Sequence, residues 1–270
     1  MITVNGKTLE IGNFPDGTIL MKHGFDGRGF ASIKWRYEND REFLGLIYLV
    51  KHLRSLGYCQ IDLTMPYIPN ARMDRVKNDE DVFTLKYFAE LLNDLNLTSV
   101  TVLDPHSSVS EALINNLIIE SPKNYIERAI AYSHGGWFNW NNISNELLMF
   151  YPDEGAMKRY SGMINLPYAF GIKNRDWKTG AIKGLDVAGD VDSIVGRDIL
   201  IVDDICSRGG TFYHSAKKLK ELGAKDIYLY VSHCENTILE GELLKGDLIK
   251  KVYTTDSIFT KEHEKIEVLK

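Results

Sequence analysis

The residues best placed to do chemistry lie in Ile199-Leu-Ile-Val-Asp-Asp-Ile-Cys-Ser-Arg-Gly-Gly-Thr211. Two carboxylates, Asp203 and Asp204, follow an apolar run. A short loop with Ser207, Arg208, Gly209, Gly210 and Thr211 then opens into a helical pattern. Backbone N–H groups and hydroxyls in such a loop converge on a phosphate at the helix N-terminus, where the peptide dipoles favour an anion. Glycine lets the backbone come close to it. The two aspartates, one step away, suit hydrogen bonds from vicinal sugar hydroxyls. The segment can also be read as a βα turn with an aspartate cap, although two acids before a Ser/Gly/Thr loop exceed what a cap needs. Lys173 and Arg175 fall in the polar, glycine-flanked stretch 168–180, which also carries Lys178. That stretch reads either as a cationic lid that orders over substrate or as a solvated hairpin tip. His106, after a strand-like run, reads as readily as a packed residue as a ligand. Cys206 reads as a small packed side chain.

These groups need a scaffold, and the pattern supplies an alternating one. Residues 41–56 predict a helix, with Phe43, Leu46, Ile47, Val50 and Leu53 on one face and Gly57 as its stop. Residues 61–65 predict a strand that runs into Pro66. Residues 79–96 predict a helix with an acidic first turn, and 98–103 a strand ending at Asp104-Pro105-His106. Residues 198–202, 212–222 and 227–231 predict strand, helix and strand, a βαβ unit with parallel strands and a right-handed crossover. The expected fold is α/β, with two similar domains of mostly parallel sheet, 1–140 and 141–270. The aromatic stretch holding Trp137, Phe138 and Trp140 reads as the seam between them. In open α/β sheets ligands bind beyond the carboxyl ends of the strands, which places the chemistry at 104–106 and 203–211.

The 270 residues carry 32 Lys and Arg against 37 Asp and Glu, a net charge of -5. That balance argues against non-specific nucleic-acid binding, which needs excess basic charge. With 44% hydrophobic and 26% charged residues, a packed core is expected and wholesale disorder is not. The longest strongly apolar run, 43–50, is too short to span a bilayer, and the first ten residues are polar with no leader pattern. Three scattered cysteines form neither a disulfide framework nor a metal knuckle. The expectation is a cytoplasmic protein with no membrane and no nucleic-acid partner.

The 203–211 segment resembles the phosphoribosyl-diphosphate motif of the phosphoribosyltransferase superfamily, with its type I fold. Other segments are similar to the ribose-phosphate diphosphokinases, also called PRPP synthetases. These are Phe14-Pro-Asp-Gly17, Met65-Pro-Tyr-Ile-Pro-Asn-Ala-Arg-Met-Asp-Arg75, Leu103-Asp-Pro-His-Ser107, Tyr151-Pro-Asp-Glu-Gly155 and Gly171-Ile-Lys-Asn-Arg175. The six matches occur in family order. The resemblance implies transfer of the β,γ-diphosphate of ATP to the anomeric hydroxyl of a ribose 5-phosphate, with AMP released and Mg2+ as cofactor. By resemblance, Asp203, Asp204, Ser207, Gly209, Gly210 and Thr211 hold the sugar phosphate. Arg72, Asp74 and Arg75 line the ATP site. Phe14 and Asp16 reach the adenine of a neighbouring protomer, which implies a homo-oligomer with the ATP site near the subunit interface. His106 and Asp153 resemble magnesium-site residues, and Lys173 and Arg175 the mobile-loop pair that acts in catalysis.

Some positions depart from the family pattern. Arg208 stands where the family has Thr, Met73 where it has Gln, and Thr18 where it has an acid. A guanidinium in the loop suggests a larger acceptor such as ADP-ribose. A phosphoribosyltransferase and a non-catalytic regulatory homologue are the rival readings.

Overall fold

The structure is a computed structural model that describes residues 1–24, 29–136, 140–175 and 182–270. Its contacts divide the chain into two units, Met1–Ser121 and Pro122–Lys270.

The first unit opens with β1 (Ile2–Val4) and β2 (Lys7–Thr8), then the hairpin β3 (Ile11–Asn13) and β4 (Ile19–Met21), then β5 (Phe30–Trp35). Next come α1 (Asp40–Ser55), β6 (Gln60–Thr64), α2 (Thr84–Asn93), β7 (Ser99–Leu103), α3 (Val109–Leu113) and β8 (Leu117–Glu120). One sheet runs in the order β2-β1-β5-β6-β7-β8. From β5 to β8 it is parallel, and β1 and β2 are antiparallel additions. The core under it holds Ile33, Trp35, Leu46, Leu53, Leu63 and Phe88. Helix α1 forms as its spacing predicts. Asn39 caps it by accepting the Glu42 N–H, and Gly57 ends it at φ +88.

Helix α2 is shorter than the expected 79–96. The Asp81 carboxylate accepts the backbone N–H groups of Lys77 (2.9 Å) and Asn78 (3.0 Å). The acids that looked like a first helical turn therefore close a local turn, and the helix starts only at Thr84.

The second unit holds α4 (Lys123–Ser133), α5 (Trp140–Glu146), β9 (Leu147–Tyr151), α6 (Glu154–Tyr160), β10 (Tyr168–Arg175) and β11 (Ile182–Gly189). It continues with β12 (Asp198–Cys206), α7 (Gly210–Glu221), β13 (Ile227–Cys234), β14 (Lys251–Thr255) and β15 (Ile266–Leu269). The sheet order is β11-β10-β9-β12-β13-β14-β15, parallel except for β11. One face packs on α7 through Ile199, Ile201, Phe212, Leu219 and Leu229. The other packs on α4 and α6 through Ile126, Ile130, Tyr160, Leu200, Tyr228 and Tyr230.

Both units are thus α/β with mostly parallel sheets, as expected. The division falls ahead of the 140/141 boundary read from the sequence. Helix α4 accounts for the difference, because its apolar face (Ile126, Ala129, Ile130) is buried on the second sheet. Trp137 and Phe138 lie outside the described residues, as does the side chain of Trp140. Among the described residues no helix is long and apolar enough to cross a membrane.

Candidate functional site

In the second unit β12 runs between β9 and β13, and its pairing with β13 continues through Asp203, Ile205 and Cys206. The twin acids therefore lie within the strand rather than after it, and the loop shrinks to Ser207–Gly209. Neighbouring strand residues face opposite sides of a sheet, so the two carboxylates have different surroundings. Asp204 is buried and lies 3.4 Å from the Arg159 guanidinium of α6. Asp203 Oδ1 accepts the Asp204 N–H at 2.9 Å. Burial, with the charges of Asp204 and Asp153 added, pushes the Asp203 carboxyl well above the usual carboxylate range. Gly209 caps α7 at φ +76, a torsion glycine adopts without strain, and it has no side chain to occupy the first helical N–H groups. Arg208 is exposed, and its Nη2 donates to Glu240 at 2.9 Å.

Asp153 caps α6, its Oδ1 accepting the Ala156 N–H at 3.0 Å. Cys206 and Cys234 stand opposite one another on β12 and β13, and both are buried. The Cys234 thiol beside it, together with burial, raises the Cys206 thiol far above its ordinary value, so it packs rather than reacts.

Lys173 and Arg175 stand on a strand. The stretch read either as a lid or as a hairpin tip begins, up to Arg175, as strand β10, paired antiparallel with β11 at Lys173↔Leu185 and Arg175↔Ile182, with an irregularity after Asn174. Their side chains, and Lys178, lie outside the described residues.

In the first unit a second group assembles after β6 and β7. The chain from Met65 to Phe83 is irregular, and Ala71 and Asp74 are buried in it. Arg75 grips the Asp74 carboxylate with both prongs, Nε to Oδ1 at 2.7 Å and Nη2 to Oδ2 at 2.9 Å. The Arg75 hydrogen bond above all, with the Ser107 hydroxyl and His106 nearby, lowers the Asp74 carboxyl to about 2, against the opposing effect of burial. His106 follows Asp104, a non-glycine residue at φ +43, in the left-handed region. Thus Asp74, Arg75, His106 and Ser107 come together, while Arg72 is exposed nearby in sequence.

Phe14 and Asp16 sit on a separate feature, the tip of the β3–β4 hairpin. Asp16 Oδ1 accepts the Thr18 N–H (3.0 Å) and hydroxyl (2.7 Å), which lower the carboxyl. Phe14 is 50% exposed. Arg41 ties the hairpin to α1 through the Gly12 carbonyl at 2.6 Å. Gly45 lets it lie close, since a Cβ there would meet Ile11 Cδ1 at 2.7 Å.

Among the described residues no group of three or more His, Cys, Asp or Glu side chains is arranged to hold a metal ion. Magnesium takes oxygen ligands and commonly uses one or two carboxylates together with phosphate and water. The Asp153 carboxylate has that chemistry. The His106 imidazole is a poor match for so hard an ion.

Arg159 is a residue that sequence reasoning missed. Its only signal was its place on the short helix that Asp153 begins, and only the contact with Asp204 singles it out.

No family model matches the chain. A ribose-phosphate pyrophosphokinase of Caldanaerobacter subterraneus is 26% identical over 97% of this chain and 81% of its own length. The chain is a relative of the ribose-phosphate pyrophosphokinases. Another, from Saccharolobus solfataricus, is 27% identical over 73% of this chain; the match spans 65% of that protein, just under two thirds of its length. A crystal structure of phosphoribosylpyrophosphate synthetase from Mycobacterium smegmatis superposes with a TM-score of 0.77, covering 97% of this chain and 85% of that one at 19% identity. The likeness to the ribose-phosphate pyrophosphokinases in sequence, and to a phosphoribosylpyrophosphate synthetase in fold, thus extends along nearly the whole chain.

Proposed function

We propose that the chain is a ribose-phosphate diphosphokinase that transfers the β,γ-diphosphate of ATP to the anomeric hydroxyl of ribose 5-phosphate and releases AMP. The observation that carries this is the Asp203-Asp204 pair on β12 leading into the glycine-capped start of α7. It lies in a chain whose relatives across 97% of its length bear that enzyme's name.

In this reading the Ser207–Thr211 turn takes the 5-phosphate with its N–H groups and hydroxyls, aided by the helix dipole. Asp203 and Asp204 accept the 2- and 3-hydroxyls. Arg159, 3.4 Å from Asp204, holds that carboxylate in place for the task. In the first unit Arg72 and Arg75 donate to triphosphate oxygens. Asp74 uses two of the five Arg75 N–H donors and fixes the plane of the guanidinium, leaving the others to a ligand. Phe14 offers an exposed ring to adenine from the hairpin tip, and the chain assembles as a homo-oligomer with that tip near a subunit interface.

Phosphoryl-type transfer asks the protein for alignment and charge stabilisation rather than a nucleophilic side chain. Lys173 and Arg175, on β10, would donate to the transferring oxygens as charge builds on the departing AMP. Magnesium, with Asp153 the best-suited protein ligand and His106 acting through water, would neutralise phosphate oxygens when bound.

One incubation tests the reading. The protein is mixed with ATP, Mg2+ and either ribose 5-phosphate or ADP-ribose, and AMP is measured. AMP that forms only with ribose 5-phosphate is the expected result, and use of ADP-ribose would reassign the acceptor. No AMP with either would refute the reading in favour of a non-catalytic homologue, and diphosphate release from PRPP in the presence of a base in favour of a phosphoribosyltransferase.

A further inference from the structure

The Ser207–Gly209 turn is held from outside by the segment that follows β13. That segment starts with a 3-10 turn, Asn236–Glu240, and continues through Leu244. Glu240 Oε2 accepts from Arg208 Nη2 at 2.9 Å. The next residue, Gly241, passes against the Arg208 peptide. A Cβ there would stand 1.9 Å from the Arg208 carbonyl oxygen and 2.9 Å from its carbonyl carbon. Leu243 covers Gly209, where a Cβ would meet Leu243 Cδ2 at 2.8 Å. Arg208 is therefore held at both ends, by its guanidinium and by its carbonyl.

We propose that Glu240 and Gly241 are positioning residues for the phosphate loop: they hold Arg208 at side chain and backbone, and so set how many phosphate groups the loop accepts. The proposal rests on the reading of this loop as a sugar-phosphate site. A guanidinium is a planar fork that pairs two-pronged with phosphate oxygens. Turned to Glu240, its charge is balanced, and the loop offers N–H groups and hydroxyls suited to a single phosphate monoester. Released from Glu240, it becomes an added cation able to meet the second phosphate of a 5′-diphosphate substituent. The two side chains are 73% and 58% exposed, so the tie is weak and Glu240 acts as a graded control. Gly241 acts by shape. Any side chain there must push the Arg208 peptide, and the Ser207–Gly210 backbone with it.

The test uses the full chain as wild type, Glu240→Gln, Glu240→Asp and Gly241→Ala. Titration calorimetry reads binding of ribose 5-phosphate, ADP-ribose and ATP, with circular dichroism as the folding control. Glu240→Gln should raise the affinity for ADP-ribose relative to ribose 5-phosphate by about two- to five-fold, the worth of an exposed ion pair. Glu240→Asp should keep the wild-type ratio. Gly241→Ala should weaken ribose 5-phosphate about tenfold or more and leave ATP unchanged, because a displaced cradle loses several aligned donors at once. An unchanged ratio in Glu240→Gln would overturn the proposal, as would full ribose 5-phosphate affinity in a folded Gly241→Ala. If Gly241→Ala does not fold, the Glu240 ratio decides alone. If the wild type binds neither sugar, the sugar-phosphate reading falls and the positioning role with it. If it binds ribose 5-phosphate and the ratio does not move, only the positioning role falls.

Discussion

Replacing Asp74 by Asn keeps the shape of the side chain and removes the charge that Arg75 grips. The carboxyl sits at about 2 against an ordinary 3.8. Taken in full, that difference corresponds to about 2.4 kcal/mol of folding stability. Arg75 is 62% exposed, and solvent screening reduces the expected loss to about 1 kcal/mol. The sign follows from the depressed value: the contribution is whole above pH ~4 and disappears as pH falls through ~2. The assay is urea unfolding followed by tryptophan fluorescence in a background where Trp137, Trp140 and Trp177 are replaced by Phe, leaving Trp35, which is fully buried in the same unit. At pH 7 Asp74→Asn should lose about 1 kcal/mol, which for a unit of this size lowers the melting temperature by about 4 °C. At pH 3 the gap should shrink to about a third of its pH 7 size. A gap that stays constant between these pH values would refute the electrostatic account, because a purely packing defect does not titrate. A missing gap at pH 7 would refute the grip itself.

Asp203→Asn should move the other way. The raised carboxyl of Asp203 weakens the folded state as pH rises above the ordinary carboxylate range, so the amide should raise stability at pH 8 relative to wild type and less so at pH 5. It should also abolish AMP formation; thermal scans at pH 5 and pH 8 check the first part, and a loss of stability at pH 8 would contradict it. Lys173→Ala should lower kcat at least about a hundredfold with an unchanged circular dichroism spectrum, and full activity would remove Lys173 from the reaction. Phe14→Ala should raise KM for ATP several-fold without changing the melting temperature, since the ring is half exposed and adds little to the core. An equal fall in stability would mark the residue as structural instead.

Periodicity made α1 and the β12–α7–β13 unit readable, because Asn39, Gly57 and the apolar stripe all favour the same bounds. The start of α2 was not readable, since Asp81 can serve either a helical turn or a side-chain turn, and only the positions of the Lys77 and Asn78 amides decide between them. Helix α4 was recognisable as amphipathic in hindsight, yet no local signal says which sheet its Ile126 face will meet. The polar residues 173–180 masked the strand that starts at Tyr168, because only its first half, Tyr168–Ile172, carries an apolar pattern and the rest is set by antiparallel pairing with β11. The candidate site was legible where backbone demands and chemistry coincide, as at Gly209 and Asp203. It was not legible at Arg159, Glu240 and Gly241, whose roles arise from contacts between segments distant in the chain.

The distribution of thiols has a practical consequence. Cys206 and Cys234 are shut inside the second unit, whereas Cys59, between α1 and β6, is exposed. A maleimide dye added under native conditions should therefore attach at Cys59 alone, giving a fluorescent or spin-label reporter on the first unit without engineered substitutions.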